Sequence, residues 1–442
     1  MAKTTTKKVN SSDKSYNFSR RSLVLLAAQM GIIGTLSWQM RKLQIHDSDK
    51  YRLLAEENRI KTRFLAPERG LIFDKAGNVV AHNRQNYKIV MIREEAGDIN
   101  QVIHNLSRII SISLEKQRSI AKEVMKHRAF VPVPIVENLT WKEFAKVAAN
   151  LPSLPGLVPE VGFSRSYAEN EIMAHIVGYV GPTSKKDLQR LPKSNPLYQM
   201  PNYRVGKTGI ERELNTVLEG TVGVSRQEVN ATGRVMRELT RDIASPGLDI
   251  QLTINTDLQR FGMARMEGLS ASAVVLEIET GNILAMSSTP SFNPNTIVNG
   301  ISNVDWSNLL SNEKRPLSNK SVSDAYPPGS LFKMVVAIAA LEKGVITSLD
   351  EINCNGIYEV GGSRHHCWLT NGHGKVNLKK ALKRSCDVYF YEIAQRVGIE
   401  HIASTSRKFG FSQTFDLPVS AISNGLVPSK AWKKSSFDKN WL

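Results

Sequence analysis

Residues 326–333 read Tyr326-Pro327-Pro328-Gly329-Ser330-Leu331-Phe332-Lys333, and the parsing of the whole chain turns on them. Two prolines and a glycine stop any preceding element. The apolar run from Phe332 and Met334 through Leu341 then predicts a buried helix ending at Lys343-Gly344. Ser330 therefore falls on the first turn of a core helix, and Lys333, three residues on, shares its face. An amine sunk among apolar groups has its pKa pushed down, and a neutral amine beside a hydroxyl is a general base for a nucleophile. The helix amino terminus adds positive potential where an oxyanion would develop. Spacing alone says little, because Ser-x-x-Lys also begins at Ser11, Ser113, Ser119, Ser311 and Ser436. The Pro-Pro-Gly before Ser330 and the apolar helix after it set this copy apart; the competing reading is a helix cap whose lysine snorkels.

Downstream, Ser385-Cys386-Asp387 precedes a second amphipathic helix. Alone it reads as a cap; paired with Ser330 and Lys333 it supplies a second hydroxyl that shuttles a proton toward a leaving group. The only three cysteines of the chain lie nearby. Cys354, Cys367, His373 and Cys386 follow one another with twelve, five and twelve intervening residues, and tetrahedral zinc accepts three thiolates and an imidazole. A structural zinc would hold the Ser385 loop without taking part in the chemistry at Ser330, so no cofactor is expected for catalysis. The competing reading is an extracytoplasmic disulfide, most simply Cys354 to Cys367, with Cys386 buried. His365 and His366 blur the choice of imidazole.

Upstream, Ser245-Pro246-Gly247 is a turn signal, and Leu248 to Ile254 alternates with the period of a half-buried strand. Gln259 to Glu267 reads as helix, and Ala273 to Ile278 with Ile283 to Met286 reads as a hairpin around Glu279-Thr280-Gly281-Asn282. Strand, helix and hairpin followed by helices predict an α+β domain with an antiparallel sheet over 246–442. Residues 41–245 read as a scaffold: a charged helical stalk from Asp47 to Arg63, a hairpin about Gly77-Asn78, a largely helical stretch over 101–150, then a mixture of strands and helices. Gly206-Lys207-Thr208-Gly209 resembles the end of a phosphate-cradling loop, but Pro201 stands where that loop demands glycine, which argues against nucleotide binding.

At the amino terminus, residues 1–21 carry Lys3, Lys7, Lys8, Lys14, Arg20 and Arg21 against Asp13 alone and read as a disordered basic arm. Residues 22–40 carry no charge, and nineteen helical residues rise roughly 28 Å, close to the thickness of a hydrocarbon core. The run ends in Leu36-Ser37-Trp38-Gln39-Met40 without a small-x-small cleavage site, which favours an uncleaved anchor over a signal peptide. Positive residues stay cytoplasmic, so the arm is expected inside and everything after the anchor outside. The 442 residues bound about three domains. With 58 Lys+Arg against 41 Asp+Glu the chain carries +17, but the excess is spread along it and accompanies no nucleic-acid motif, so a solvated basic surface is expected and nucleic acid is not.

These features together resemble a class B penicillin-binding protein of the elongation type. The resemblance runs from the anchor to the end, through Pro67-Glu68-Arg69-Gly70 with Asp74 and Gly77, Gly206 to Glu211 with Gly220 and Gly223, Thr280-Gly281, Tyr326 to Lys333, Gly372-His373-Gly374 and Ser385-Cys386-Asp387. It implies a cytoplasmic basic arm over 1–21, a transmembrane anchor over 22–40, a pedestal or dimerisation domain over 41–245 and a penicillin-binding transpeptidase domain over 246–442. In it Ser330 would attack the D-Ala-D-Ala carbonyl of a peptidoglycan stem peptide, Lys333 would accept its proton, and Ser385 with Asp387 would line the cleft and relay protons. β-Lactams would acylate Ser330. The pedestal would engage a polytopic glycosyltransferase of the shape, elongation, division and sporulation family, and the location would be the bacterial inner membrane with the catalytic domain in the periplasm. The family also places a Lys-[Ser/Thr]-Gly strand after these motifs, and none follows Asp387; Lys207-Thr208-Gly209 lies in the wrong domain. The expectation from this is a truncated chain, severely impaired or inactive and poorly folded after residue 245. A catalytically silent scaffold that binds and activates the glycosyltransferase is the competing function.

Overall fold

The structure, a computed structural model, describes residues 20–46, 60–192, 194–200, 203–230 and 235–439. The basic arm as far as residue 19 and the stalk over 47–59 lie outside the described residues. Helix α1, Arg20–Arg41, continues into a wider turn over Lys42–His46. Among the described residues it is the one helix long and apolar enough to cross a membrane, over Leu23–Ile45. Strand β1, Ile60–Leu65, replaces the end of the expected charged helix. Ile60, Thr62 and Phe64 alternate with Lys61 and Arg63, a β-branched and aromatic pattern that suits a strand.

The pedestal is built on a mixed sheet. Strands β2 (Ile72–Phe73) and β3 (Val79–Met91) form the expected hairpin. Asp74 fixes the turn by accepting the N–H groups of Ala76 and Asn78 at 2.9 and 2.8 Å. Helices α2 (Ile99–Ile109), α3 (Leu114–Lys126) and α4 (Trp141–Ala149) fill the stretch expected to be helical. Between them lies a strand the sequence reading passed over, β4 (Val133–Leu139), which pairs with β3. Strand β5 (Leu157–Tyr167) runs antiparallel to β3 along its length, from Ala81 opposite Tyr167 to Met91 opposite Leu157. Ile89, Met91, Val102, Leu106, Val124, Val147 and Leu154 are all but sealed from solvent in this lobe, each burial stabilising the fold by about 1.5–3 kcal/mol.

Among the described residues, 20–46, 60–65, 224–230 and 235–243 belong to a separate compact unit that holds α1, β1 and strands β6 (Gly223–Val229) and β7 (Val235–Asp242), with sheet order β1-β6-β7. Strand β8 is only Ile250–Gln251, and it pairs in parallel with β2 of the pedestal rather than opening a sheet of its own. The close passage of the two segments requires Gly70, because a Cβ there would lie 2.0 Å from the Leu248 carbonyl oxygen.

The remainder is α+β. Helix α5 (Thr256–Arg265) packs on the hairpin of β9 (Ala271–Leu276) and β10 (Ile283–Thr289). Helix α6 (Phe332–Glu342) lies at the centre of a second core. The short strands β11 (Ile352–Cys354), β12 (Ile357–Val360), β13 (Ser363–His366) and β14 (Gly374–Val376) follow, then α7 (Leu378–Lys383), α8 (Asp387–Val397) and α9 (Ile399–Lys408). Two expectations need correction. The helix expected to be buried is sealed on one side by Val335, Val336, Ala337, Ala339 and Ala340 but leaves Met334, Ile338 and Leu341 exposed. The region after residue 245, expected to be poorly folded, forms regular elements: α6, α8 and α9 bury Val336, Ala340, Tyr389, Ile393 and Ile402 together, while Ile254, Met286 and Val298 share a core with Ile72 and Val80 of the pedestal.

Candidate active site

The prolines and glycine ahead of Ser330 leave one tight turn, Gly329–Leu331, which runs straight into α6. Ser330 is exposed at this turn, and Lys333 sits in the first turn of α6 with its side chain 13% exposed. Across from them α7 ends, and Ser385 adopts a left-handed backbone with φ of 50°. A non-glycine residue held there costs on the order of 1–3 kcal/mol, which persists only where the surroundings over-determine it.

The surroundings do so. The Ser330 and Ser385 hydroxyls lie 2.8 Å apart. Lys333 Nζ donates to Ser385 Oγ at 2.9 Å, to the Ser385 carbonyl at 2.9 Å and to Asp387 Oδ1 at 2.6 Å. The Phe390 ring lies beneath the amine, 5.8 Å from centroid to Nζ. Thus all four residues expected at the site, Ser330, Lys333, Ser385 and Asp387, come together. Ser385 Oγ lies within hydrogen-bond reach of both the Ser330 hydroxyl and the Lys333 amine.

The four expected metal ligands also converge. One ligand atom from each of Cys354, Cys367, His373 and Cys386 lies within 4.8 Å of the others. His373 Nδ1 is 3.5 Å from Cys367 Sγ and 3.7 Å from Cys354 Sγ. The three cysteines are buried and free of disulfides. Burial pushes the Cys367 thiol up, but the backbone N–H groups of Leu369, Asp387 and Val388 outweigh it and hold the thiol below its usual value. Burial pushes Cys386 up to about 12. Four-coordinate zinc with Zn–S bonds near 2.3 Å needs sulfurs about 3.8 Å apart, so the cluster fits with sub-ångström to ångström closure. Gly372 admits the loop, since a Cβ there would lie 2.1 Å from the Cys354 carbonyl oxygen.

One participant escaped the sequence reading. Trp368 donates its backbone N–H to Asp387 Oδ2 at 3.1 Å and its indole N–H to the Arg384 carbonyl at 2.9 Å. A backbone donor leaves no trace in residue identity; the only sequence signal is its position directly after Cys367.

In the pedestal, two segments that carried the resemblance meet. Arg69 Nε and Arg165 Nε donate to Glu211 at 2.5 and 2.7 Å. Burial pushes the Glu211 carboxyl up, yet the two guanidiniums outweigh it and hold it below the usual carboxylate range. Lys207 of the decoy loop pairs with Asp187, and the Gly209 N–H donates to Ser420 Oγ at 2.9 Å; this segment is structural.

A serine on the tight turn that leads into a helix, a lysine three residues on in that helix's first turn and a second serine touching both form the constellation of a serine acyl-transfer enzyme. Residues 64–252 match the penicillin-binding protein dimerisation domain and residues 271–440 the penicillin-binding protein transpeptidase domain. The chain is 34% identical over 427 residues to the peptidoglycan D,D-transpeptidase MrdA of Escherichia coli K12, covering 96% of this chain and 68% of that protein. It is 33% identical to MrdA of Haemophilus influenzae, covering 96% of this chain and 66% of that one. Among solved structures, penicillin-binding protein 2 of Helicobacter pylori in complex with MreC superposes with a TM-score of 0.76 at 29% identity, over 87% of this chain and 72% of that one. Penicillin-binding protein 2 of Pseudomonas aeruginosa in complex with WCK 5153 gives 0.62 at 28%, over 86% and 64%. The chain belongs to the penicillin-binding proteins that carry a dimerisation domain followed by a transpeptidase domain, the MrdA-like group.

Proposed function

We propose that the chain is a peptidoglycan D,D-transpeptidase acting through a serine acyl-enzyme. The observation that carries this reading is the continuous chain of hydrogen bonds from Ser330 through Ser385 to Lys333 and Asp387. Ser330 Oγ attacks the penultimate D-Ala carbonyl carbon, its proton passes to Ser385 Oγ, and the Ser385 proton passes to the Lys333 amine. The peptide C–N bond then breaks, and the same relay in reverse delivers the proton to the departing D-Ala amine. A second stem peptide's amine attacks the ester carbonyl, gives its proton to the relay and restores the Ser330 hydroxyl. A β-lactam ring opens by the first half of this sequence and leaves Ser330 acylated. Asp387 holds the ammonium form of Lys333 in place between the two halves.

The basic residues ahead of α1 favour an amino terminus in the cytoplasm and a catalytic half in the periplasm, anchored in the inner membrane. The relative from Helicobacter pylori is seen with MreC; for this chain the pedestal is the surface offered to such partners and to a polytopic glycosyltransferase. Cys354, Cys367, His373 and Cys386 would hold a structural zinc, whose chemistry there is to cross-link the loop against α8 and nothing more.

Two measurements test this. Fluorescent penicillin should label the detergent-solubilised chain and not its Ser330→Ala variant; equal labelling of both would overturn the reading. Metal analysis with thiol titration under denaturation should give one zinc and three thiols per chain, whereas no metal and two missing thiols would establish the disulfide instead.

A further inference from the structure

We propose that Trp368 is a positioning residue for the acyl-transfer site, clamping the strained Ser385 turn from outside through its indole and backbone N–H groups. The inference rests on the acyl-transfer reading above and adds to it a residue outside the reacting set. The turn has two fixed ends. At one, the Arg384 carbonyl accepts the Trp368 indole N–H at 2.9 Å. At the other, Asp387 Oδ2 accepts the Trp368 backbone N–H at 3.1 Å, while Oδ1 accepts from Lys333. Between these ends lies Ser385, left-handed at φ of 50°, with its carbonyl on Lys333 and its hydroxyl on Ser330. One residue therefore spans the peptide that sets where the relay hydroxyl sits.

The exposure of Trp368 points the same way. The residue is 64% exposed, so little apolar burial holds it in place. What fixes it is the pair of hydrogen bonds, the edge-on contact with His373 at 5.4 Å between ring centroids, and the covalent link to Cys367, which is buried in the core. A large aromatic left mostly in water, with both N–H groups directed into the catalytic turn, is placed for what it holds rather than for what it buries. Lys333, on α6, already donates to the Ser385 carbonyl, the Ser385 hydroxyl and Asp387.

The test is Trp368→Phe in the 442-residue chain, which keeps a ring beside His373 and the backbone N–H but removes the indole donor. Acylation by a chromogenic cephalosporin is resolved into a saturation constant and a first-order acylation rate. The expected result is a rate lower by roughly tenfold, the scale of one lost hydrogen bond, with the saturation constant within about twofold and the melting temperature unchanged. Unaltered acylation, or a fall in rate that tracks a fall in melting temperature, would overturn the proposal. A chain that takes no β-lactam at all would defeat the acyl-transfer reading, and Trp368 is then judged by hydrogen exchange. Faster exchange in Trp368→Phe confined to residues 384–388 supports the clamp. Unchanged exchange, or loosening spread over the 352–376 strands as well, refutes it.

Discussion

The two sides of the catalytic half are built to different standards. On the helical side Ala339, Ala340, Val376, Ala381, Cys386, Tyr389 and Ile393 are fully sealed, and the site sits directly above them on α6 and α8. On the sheet side β9 pairs only with β10 among the described residues, and Val274, Val275 and Leu276 are exposed along it. The difference teaches where the chemistry is anchored. Ser385 and Lys333 take their contacts from the helical side and the loop beside it: Asp387 and Phe390 of α8 meet the amine, and Trp368 meets the Arg384 carbonyl.

The largest effect that sharpens this contrast is on rate. Lys333→Ala should lower Ser330 acylation by about 10²–10⁴, the range for loss of a proton-transfer group, while melting stays near wild type; stopped-flow acylation and calorimetry measure the two. Next is the pedestal's buried ion triad. Glu211→Gln strands Arg69 and Arg165, and removing one partner of a buried pair costs about 3–5 kcal/mol. Chemical denaturation should show this loss, with the acylation rate of the folded fraction unaltered. On the helical side, Ile393→Ala should cost about 2–5 kcal/mol.

A pH effect of about 3 kcal/mol is expected where the pedestal meets the sheet. Burial, set against a bond to the Pro290 carbonyl and joined by the nearby Lys320 charge, lowers His175 to about 4. The unfolded chain, with histidine near 6.5, binds the proton first, so stability is full above about pH 6.5 and falls as pH drops toward 4. Denaturation midpoints at successive pH values should follow that slope, and His175→Phe should flatten it. The smallest effect completes the contrast: Val275→Ala on the open sheet should cost no more than about 0.5 kcal/mol. A loss as large as that of Ile393→Ala would show that this face is covered in solution and would break the comparison.

Much of the site could be read from residue order. The stop before Ser330, the apolar helix after it and the Ser-x-Asp before α8 each report local physics, so the four residues were legible before any coordinates, as was the hairpin of β9 and β10. What stayed hidden depended on partners. Alternation across 248–254 announces a strand but not that its mate is β2 of the pedestal. An apolar helix announces burial but not which face finds a neighbour, so Met334, Ile338 and Leu341 could not be told from Val336 and Ala340. The placement of Ser385 Oγ between Ser330 and Lys333 follows from a backbone φ that serine rarely adopts. Nor can any sequence pattern announce the backbone N–H of Trp368.

Mass spectrometry of the penicillin-treated 442-residue chain tests the account most directly. The account predicts one penicilloyl adduct, on the peptide containing Ser330, absent from Ser330→Ala and strongly reduced in Lys333→Ala. An adduct on any other residue, or labelling that survives the loss of the Ser330 hydroxyl, would contradict it.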